Sequence, residues 1–169
     1  MPIPPNSHLV ASPIDDAAEL NRSNAAALIS RGLTRFFADH GLVSLAEFSL
    51  RSGRRADLFC LDAKSRITIV EIKSSVEDFR SDQKWQDYLD YCDRFYFAVP
   101  ESFPRDLIPG EHGLMVADGY GATVIRETAE LSVNGTRRRA LVLQFAQLAA
   151  RRLQALSDPE RTRGSLEGF

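Results

Sequence analysis

The sequence predicts an α/β protein built on a mixed central sheet flanked by helices. Three observations carry that expectation. Apolar spacing switches between helical and strand periods in the order α-β-β-β-α-β-β-β-α. The first two strand candidates are joined by Ser52-Gly53, a tight turn that makes them an antiparallel hairpin. The third, rich in β-branched residues, runs at once into a helix and then into the apolar run Arg94 to Val99. That strand-helix-strand passage is a parallel crossover, right-handed by the usual rule.

Residues 1–15 are rich in Pro, Ser and Asn and are expected to form a flexible arm. A single domain is expected over 16–156, with a polar, flexible tail over 157–169. From Ser23 or Asn24, either of them a suitable N-cap, Ala25, Leu28, Ile29, Leu33, Phe36 and Phe37 recur at helical spacing, and Gly41 is a plausible C-cap. Leu42 to Leu50 is the first strand candidate and contains Glu47. Arg54 to Leu61 returns along it, and Asp62 to Ser65 turns the chain into Arg66 to Lys73. Ser74-x-x-Glu77 matches a capping box, so a helix is expected just after Lys73, with Asp82 able to restart it. Trp85, Tyr88, Leu89 and Cys92 give that second stretch one apolar face. Pro100 stops the Arg94 to Val99 strand, and Pro104, Pro109 and Gly110 mark a connecting loop. Leu114 to Ala117 and Ala122 to Arg126 form a hairpin around Asp118-Gly119-Tyr120-Gly121. Asn134-Gly135 reads as a further turn, and Ala140 to Leu156 as a final amphipathic helix.

At 169 residues the chain has room for one real core. Its hydrophobic content of 44% and charged content of 26% are those of an ordinary globular protein. The net charge of −2 does not announce nucleic acid, but the arginines cluster, at 51, 54 and 55, at 137 to 139 and at 151 and 152. Cys60 and Cys92 form no Cys-x-x-Cys pair, which excludes zinc ribbons and redox motifs. Both read as buried thiols, so a cytoplasmic setting is expected. No apolar run approaches the roughly 20 residues of a membrane span, and the N-terminus does not read as a secretion signal. His8, His40 and His112 have no ligand spacing, and no Gly-rich phosphate loop or nucleophile elbow is present.

The chemistry concentrates between Arg54 and Ser75. Glu71 and Lys73 alternate onto one face of an apolar strand, a costly placement unless the charges are paired or bind something. Asp57 lies one strand and a short turn upstream. Two carboxylates and a lysine converging at a sheet end are the parts needed to hold Mg²⁺, or Mn²⁺ in its place, against a phosphodiester. Asp57 and Glu71 would supply carboxylate oxygens and Ile72 a backbone carbonyl. Lys73 would stand beside the attacking water or the scissile phosphate, orienting one or stabilising the charge that builds on the other. The bland alternative is that strands often end in charge because they reach solvent. Against it stand the apolar strand, the nearby Asp and the helix cap that fixes the strand's end.

The pattern Asp57…Glu71-Ile72-Lys73 resembles the PD-(D/E)XK nuclease superfamily, with Ala56 where the superfamily's leading Pro would stand. The longer run GRRADLFCLD…VEIKSSVEDFRSDQKWQDYLDYCDRFYFAV is similar to the MmcB family of DNA-repair proteins. The likeness spans Leu45 to Val99, about a third of the chain. It implies a restriction-endonuclease-like core, a role in DNA repair and a place on the nucleoid when bound to DNA. It also implies a third acid. Glu47 matches the family's Glu before the Gly-Arg-Arg-Ala-Asp run, and Glu19 is its rival, because some resolvase-like members carry an acid on the first helix.

Ser74, Asp78, Asp82 and Tyr88 are candidates to support the site from behind, with helix capping the competing role for the two acids. Arg51, Arg54 and Arg55 could clamp a nucleic-acid backbone, or simply solubilise the hairpin. Lys84 could meet a phosphate, and Trp85 could stack on a base or fill the core. Arg137 to Arg139 read as a solvated turn. The leading expectation is a metal-dependent DNA endonuclease. The alternatives are a catalytically silent DNA-binding or adaptor module on the same fold and an RNA-directed nuclease. DNA is the expected partner, with a homodimer or a repair protein as further candidates and no membrane.

Overall fold

The computed structural model describes residues 13–159, with side chains from residue 20 onward. Helix α1 (Pro13–Asp39) leads into strands β1 (Val43–Ser49), β2 (Arg55–Leu61) and β3 (Ile67–Ile72). The short helix α2 (Val76–Ser81) and a 3₁₀ helix (Trp85–Tyr91) carry the chain back to β4 (Arg94–Val99). A loop with one 3₁₀ turn (Arg105–Leu107) leads to β5 (Gly113–Ala117) and β6 (Ala122–Arg126), and α3 (Gly135–Ser157) follows. The six strands lie in sequence order, β1 to β6. The outer pairs are antiparallel, β1–β2, β2–β3 and β5–β6, while β3–β4 and β4–β5 are parallel. This is the mixed α/β sheet expected, and it is consistent with a restriction-endonuclease-like core.

Each face of the sheet is covered. Ile29, Leu33 and Phe37 of α1 pack on Leu58, Cys60, Val70, Ile72 and Ala98. Phe79, Trp85, Tyr88, Leu141 and Phe145 cover Phe48, Phe59, Ile69, Phe95 and Phe97 on the other side. α1 approaches so closely that a Cβ on Gly32 would collide with the Asp118 carbonyl oxygen in the β5–β6 turn. Cys60 and Cys92 are buried free thiols, as expected. Among the described residues no helix is long and apolar enough to cross a membrane.

Several boundaries differ from expectation for identifiable reasons. α1 begins at Pro13, so Pro13, Ile14 and Asp15 of the expected arm are helical; residues 1–12 lie outside the described residues. Proline suits the first turn of a helix, where its missing N–H has no partner to lose. Ser23 and Asn24 are therefore exposed helix residues, not caps. The cap of α2 is Ser75, one residue later than Ser74: its hydroxyl accepts the Asp78 N–H, while the Asp78 carboxylate reaches back to the Ser74 N–H, so the reciprocal box is not formed. The stretch after Asp82 winds as a tighter 3₁₀ helix. α3 starts at Gly135 because the Asn134 side chain caps the N–H groups of Thr136 and Arg137. Arg138 is no solvated turn residue: it forks onto the buried Asp93 and also reaches the Ser65 carbonyl. Residues 160–169 of the expected tail lie outside the described residues.

One irregularity lies beside the paired acids. Ala46 and its partner Leu58 face α1, whereas Phe48 and its partner Ala56 face the opposite side. Residues two apart in a regular strand share a face. The flip is centred on Glu47, held at φ 52, in the left-handed region that non-glycine residues seldom occupy. The register sets Glu47 opposite Asp57.

Candidate functional site

β2 and β3 pair from Leu61–Ile67 to Leu58–Val70 and then part. The next position on each strand is Asp57 and Glu71, so the two carboxylates stand at the fork. The fork is possible because Asp57 Oδ2 accepts the freed Ile72 N–H at 2.7 Å, replacing the lost ladder bond. On its other side β3 keeps its parallel pairing one residue further, through the Lys73 N–H to the Ala98 carbonyl at 2.9 Å. That bond fixes the backbone of Lys73, whose ammonium bridges Glu71 Oε1 at 3.3 Å and Asp82 Oδ2 at 3.2 Å. Asp78 accepts the Ser74 N–H at 3.0 Å and so ties the end of β3 to the start of α2.

Glu71 and Lys73 are 4% and 2% exposed. Burial pushes the Asp57 carboxyl up to about 6, and the Ile72 N–H and the Lys73 ammonium offset it only in part. Burial and then the neighbouring Asp57 push Glu71 up further, against the pull of Lys73. Lys73 is held above its ordinary value although burial opposes its charge, because Glu71, Asp82 and Asp78 surround it. Lys73 is the only base among these groups, and the acids outnumber it. Glu71 Oε2 is buried with no hydrogen bond of good geometry: the Tyr88 hydroxyl stands beside this carboxylate, but it donates to the Arg55 carbonyl. A buried carboxylate oxygen with no donor, beside a second carboxylate, marks missing positive charge.

These groups open onto a cleft of about 1030 Å³. Its floor is Asp57, Glu71, Ile72 and Lys73, and one wall is Ser74, Asp78, Asp82 and Tyr88. Glu47, Arg54 and Arg55 stand on the hairpin side. The structure thus gathers the expected acids, the lysine, Arg54 and Arg55 around one space, and leaves Arg51 outside its lining. Glu47 is mostly exposed and lies 3.6 Å from the Arg55 guanidinium. Glu19, its rival, falls outside the described side chains. Tyr88 donates to the Arg55 carbonyl at 3.0 Å, which anchors the start of β2.

Two expected contacts are not brought to the cleft. Trp85 is packed on Phe95, Phe97 and His112, so its ring is enclosed by core and presents no face to a base. Lys84 is exposed and outside the cleft lining. Conversely, the opposite wall comes from α1, through Arg22, Ser23, Ala26, Ala27 and Ser30. Those residues recur at helical spacing as a small, polar stripe, a signal present in the sequence but hidden by the apolar stripe beside it. Asp87, which accepts from Arg54 Nε at 2.9 Å, has no sequence signal, since the pair is far apart along the chain. Among the described residues, no three His, Cys, Asp or Glu side chains converge as a metal cage.

The family model described as DNA repair protein MmcB-like matches residues 14–160. A solved structure, the SPO1766 protein of unknown function from Silicibacter pomeroyi, is 46% identical and superposes with a TM-score of 0.77. The match covers 78% of this chain and 90% of that one. No curated protein sequence matches the chain.

Proposed function

Because the chain belongs to the MmcB-like family of DNA repair proteins, we propose that it hydrolyses phosphodiester bonds in DNA, with Mg²⁺ held between Asp57 and Glu71. The observation that carries this reading is the unpartnered, buried Oε2 of Glu71 beside the Asp57 carboxylate. The donors suit a small, hard cation that keeps several waters: two carboxylates, with the Ile72 carbonyl beside them. When bound, Mg²⁺ would supply positive charge to a phosphate oxygen and raise the acidity of water. Mn²⁺ has the same oxygen preference and is the natural substitute.

The chain's own residues do the rest. Asp57 keeps one oxygen on the Ile72 N–H and leaves the other for the cleft, so its orientation is set before any ligand arrives. Lys73 is locked between Glu71 and Asp82 and offers a fixed positive charge where the phosphate's own charge grows. Glu47 stands at the rim opposite Asp57 and is proposed as the third acid. Arg54 and Arg55 are placed to neutralise flanking phosphates.

The test is a cleavage assay on single-stranded, duplex, flapped and branched DNA with Mg²⁺ or Mn²⁺, with Asp57→Ala alongside. The reading expects cleavage by the wild type that chelator stops and Asp57→Ala abolishes while the fold survives. Cleavage that persists in excess chelator would sink it. The lack of a three-ligand cage among the described residues favours a second reading, a DNA-binding adaptor without turnover. That reading expects DNA binding with no cleavage under any metal.

A further inference from the structure

We propose that the carboxylates of Asp82, in the cleft, and Asp87, just beyond its lining, stand where two backbone phosphates of a nucleic-acid strand would lie, so that the α2–3₁₀ segment mimics that backbone. The inference rests on the proposed nucleic-acid function and adds where the strand runs. Arg54 is one of the cleft's cations, yet its Nε is already taken by Asp87 Oδ2 at 2.9 Å. Lys73, a second cation of the cleft, is taken by Asp82 Oδ2 at 3.2 Å. Both acids belong to the one segment that runs from α2 into the 3₁₀ helix, and each is paired with one positive group of the cleft. Carboxylate and phosphate oxygens make the same charge-assisted contacts to such cations.

The exposure of each group decides which contact is exchangeable. Asp87 is 53% exposed and Arg54 25%, and an exposed pair of this kind is weak. Only one guanidinium nitrogen is engaged, so an incoming phosphate can take the fork while Asp87 swings to solvent. Asp82 is pinned by accepting the Lys84 N–H as the C-cap of α2, so it yields less readily. The segment therefore screens the cleft against weak anions and is displaced by a strand that presents several phosphates together. A net charge of −2 in a DNA repair family is then reasonable: part of the acid is positioned to be displaced.

The experiment measures binding of a short fluorescein-labelled single strand, and of its duplex, to the full chain by anisotropy across a salt series with chelator present. The variants are Asp87→Asn, Arg54→Ala, the double variant, and Asp90→Asn. Asp90 lies on the same 3₁₀ helix but its carboxylate pairs with no cation of the cleft, so it controls for net charge. Asp87→Asn is expected to tighten binding about two- to five-fold beyond the Asp90→Asn control. Its salt dependence should steepen by about 0.7–0.9 in log–log slope, one additional phosphate contact. The gain should vanish in the double variant. Equal affinities for Asp87→Asn and Asp90→Asn, or weaker binding by Asp87→Asn, would overturn the mimic while leaving a nucleic-acid site intact. No binding by any variant, in protein shown to be folded, would remove the nucleic-acid reading and the mimic together.

Discussion

At the start of β3, Asp93 accepts the Ile67 N–H at 2.7 Å; at its end, Asp57 accepts the Ile72 N–H at the same distance. The two aspartates do the same backbone work at opposite ends of one strand. Their surroundings differ. Asp93 also receives a forked pair of bonds from Arg138 and a longer one from the Val133 N–H. Burial alone would raise its carboxyl, but those donors outweigh it and hold it below the usual range. Burial raises the Asp57 carboxyl above the usual range, and the Ile72 N–H and Lys73 beside it do not make up the difference. A buried acid with its donors complete closes a structure, here tying α3 to the sheet. A buried acid lacking a counter-charge stores free energy that a ligand can release.

The comparison breaks most plainly at the closed end. Asp93→Ala strands the Arg138 guanidinium and two backbone N–H groups. A loss of about 3–5 kcal/mol in urea unfolding is expected, the range for breaking one partner of a buried pair. At the open end the same kind of change should act on chemistry instead. Lys73→Ala is expected to lower the cleavage rate about 10²–10³-fold in single-turnover assays, the usual effect of losing one fixed charge at a developing anion. Its effect on unfolding should be smaller than that of Asp93→Ala, because the Glu71 carboxyl left behind already holds its proton tightly and can stay neutral. If Lys73→Ala proved the more destabilising of the two, the division between ends would fail.

Glu71 sharpens the comparison through pH. Its proton is held more tightly in the folded chain than at the ordinary 4.5, up to about 8. Such an acid contributes stability below its unfolded value and loses it as pH rises through the folded one. Wild-type stability should therefore fall between about pH 4.5 and 8. Glu71→Gln should flatten that fall and stabilise the protein by roughly 1–2 kcal/mol at about pH 8 while abolishing cleavage. Mg²⁺ should raise the wild-type Tm near that pH and leave that of Glu71→Gln unmoved, because only the carboxylate gains from the cation. Asp93 has a lowered carboxyl, so its contribution has the opposite sign: present at neutral pH and lost in acid.

The two ends are also unequally legible in the sequence. Glu71 and Lys73 can be read because alternation on an apolar strand puts both charges on one buried face, and Asp57 because a hairpin spacing brings it alongside. Those signals are local. The Asp93–Arg138 lock joins residues 45 apart in sequence, and nothing in the spacing around either one anticipates it. Arg138 reads as solvated in the sequence because Asn134-Gly135 looks like a turn, when Asn134 in fact caps a helix. The small stripe of α1 that walls the cleft depends on how a helix lies across a sheet, which periodicity does not encode. Trp85 carries two readings in the sequence, and only the packing of Phe95, Phe97 and His112 around it decides between them.

The smallest expected effect separates the ends most cleanly. Each carries one non-glycine residue in the left-handed region, Glu47 at φ 52 by the open end and Ser65 at φ 61 by the closed end. Ser65 lies in the turn organised by Asp62, and its carbonyl is held by Arg138, so its conformation serves the closure. Glu47 sits where the hairpin changes face, opposite Asp57. Glycine adopts this conformation without strain but loses more chain entropy, so each replacement should stabilise by only a few tenths to about 1 kcal/mol. Ser65→Gly should leave cleavage unchanged. Glu47→Gly keeps the face change and removes the carboxylate, so cleavage should fall although stability rises. Glu47→Ala retains the strain as well as losing the acid, and it should match Glu47→Gly in cleavage but not in Tm. If Glu47→Gly cleaved like wild type, the left-handed backbone at Glu47 would matter only for aiming Asp57. The site's acids would then be Asp57 and Glu71 alone.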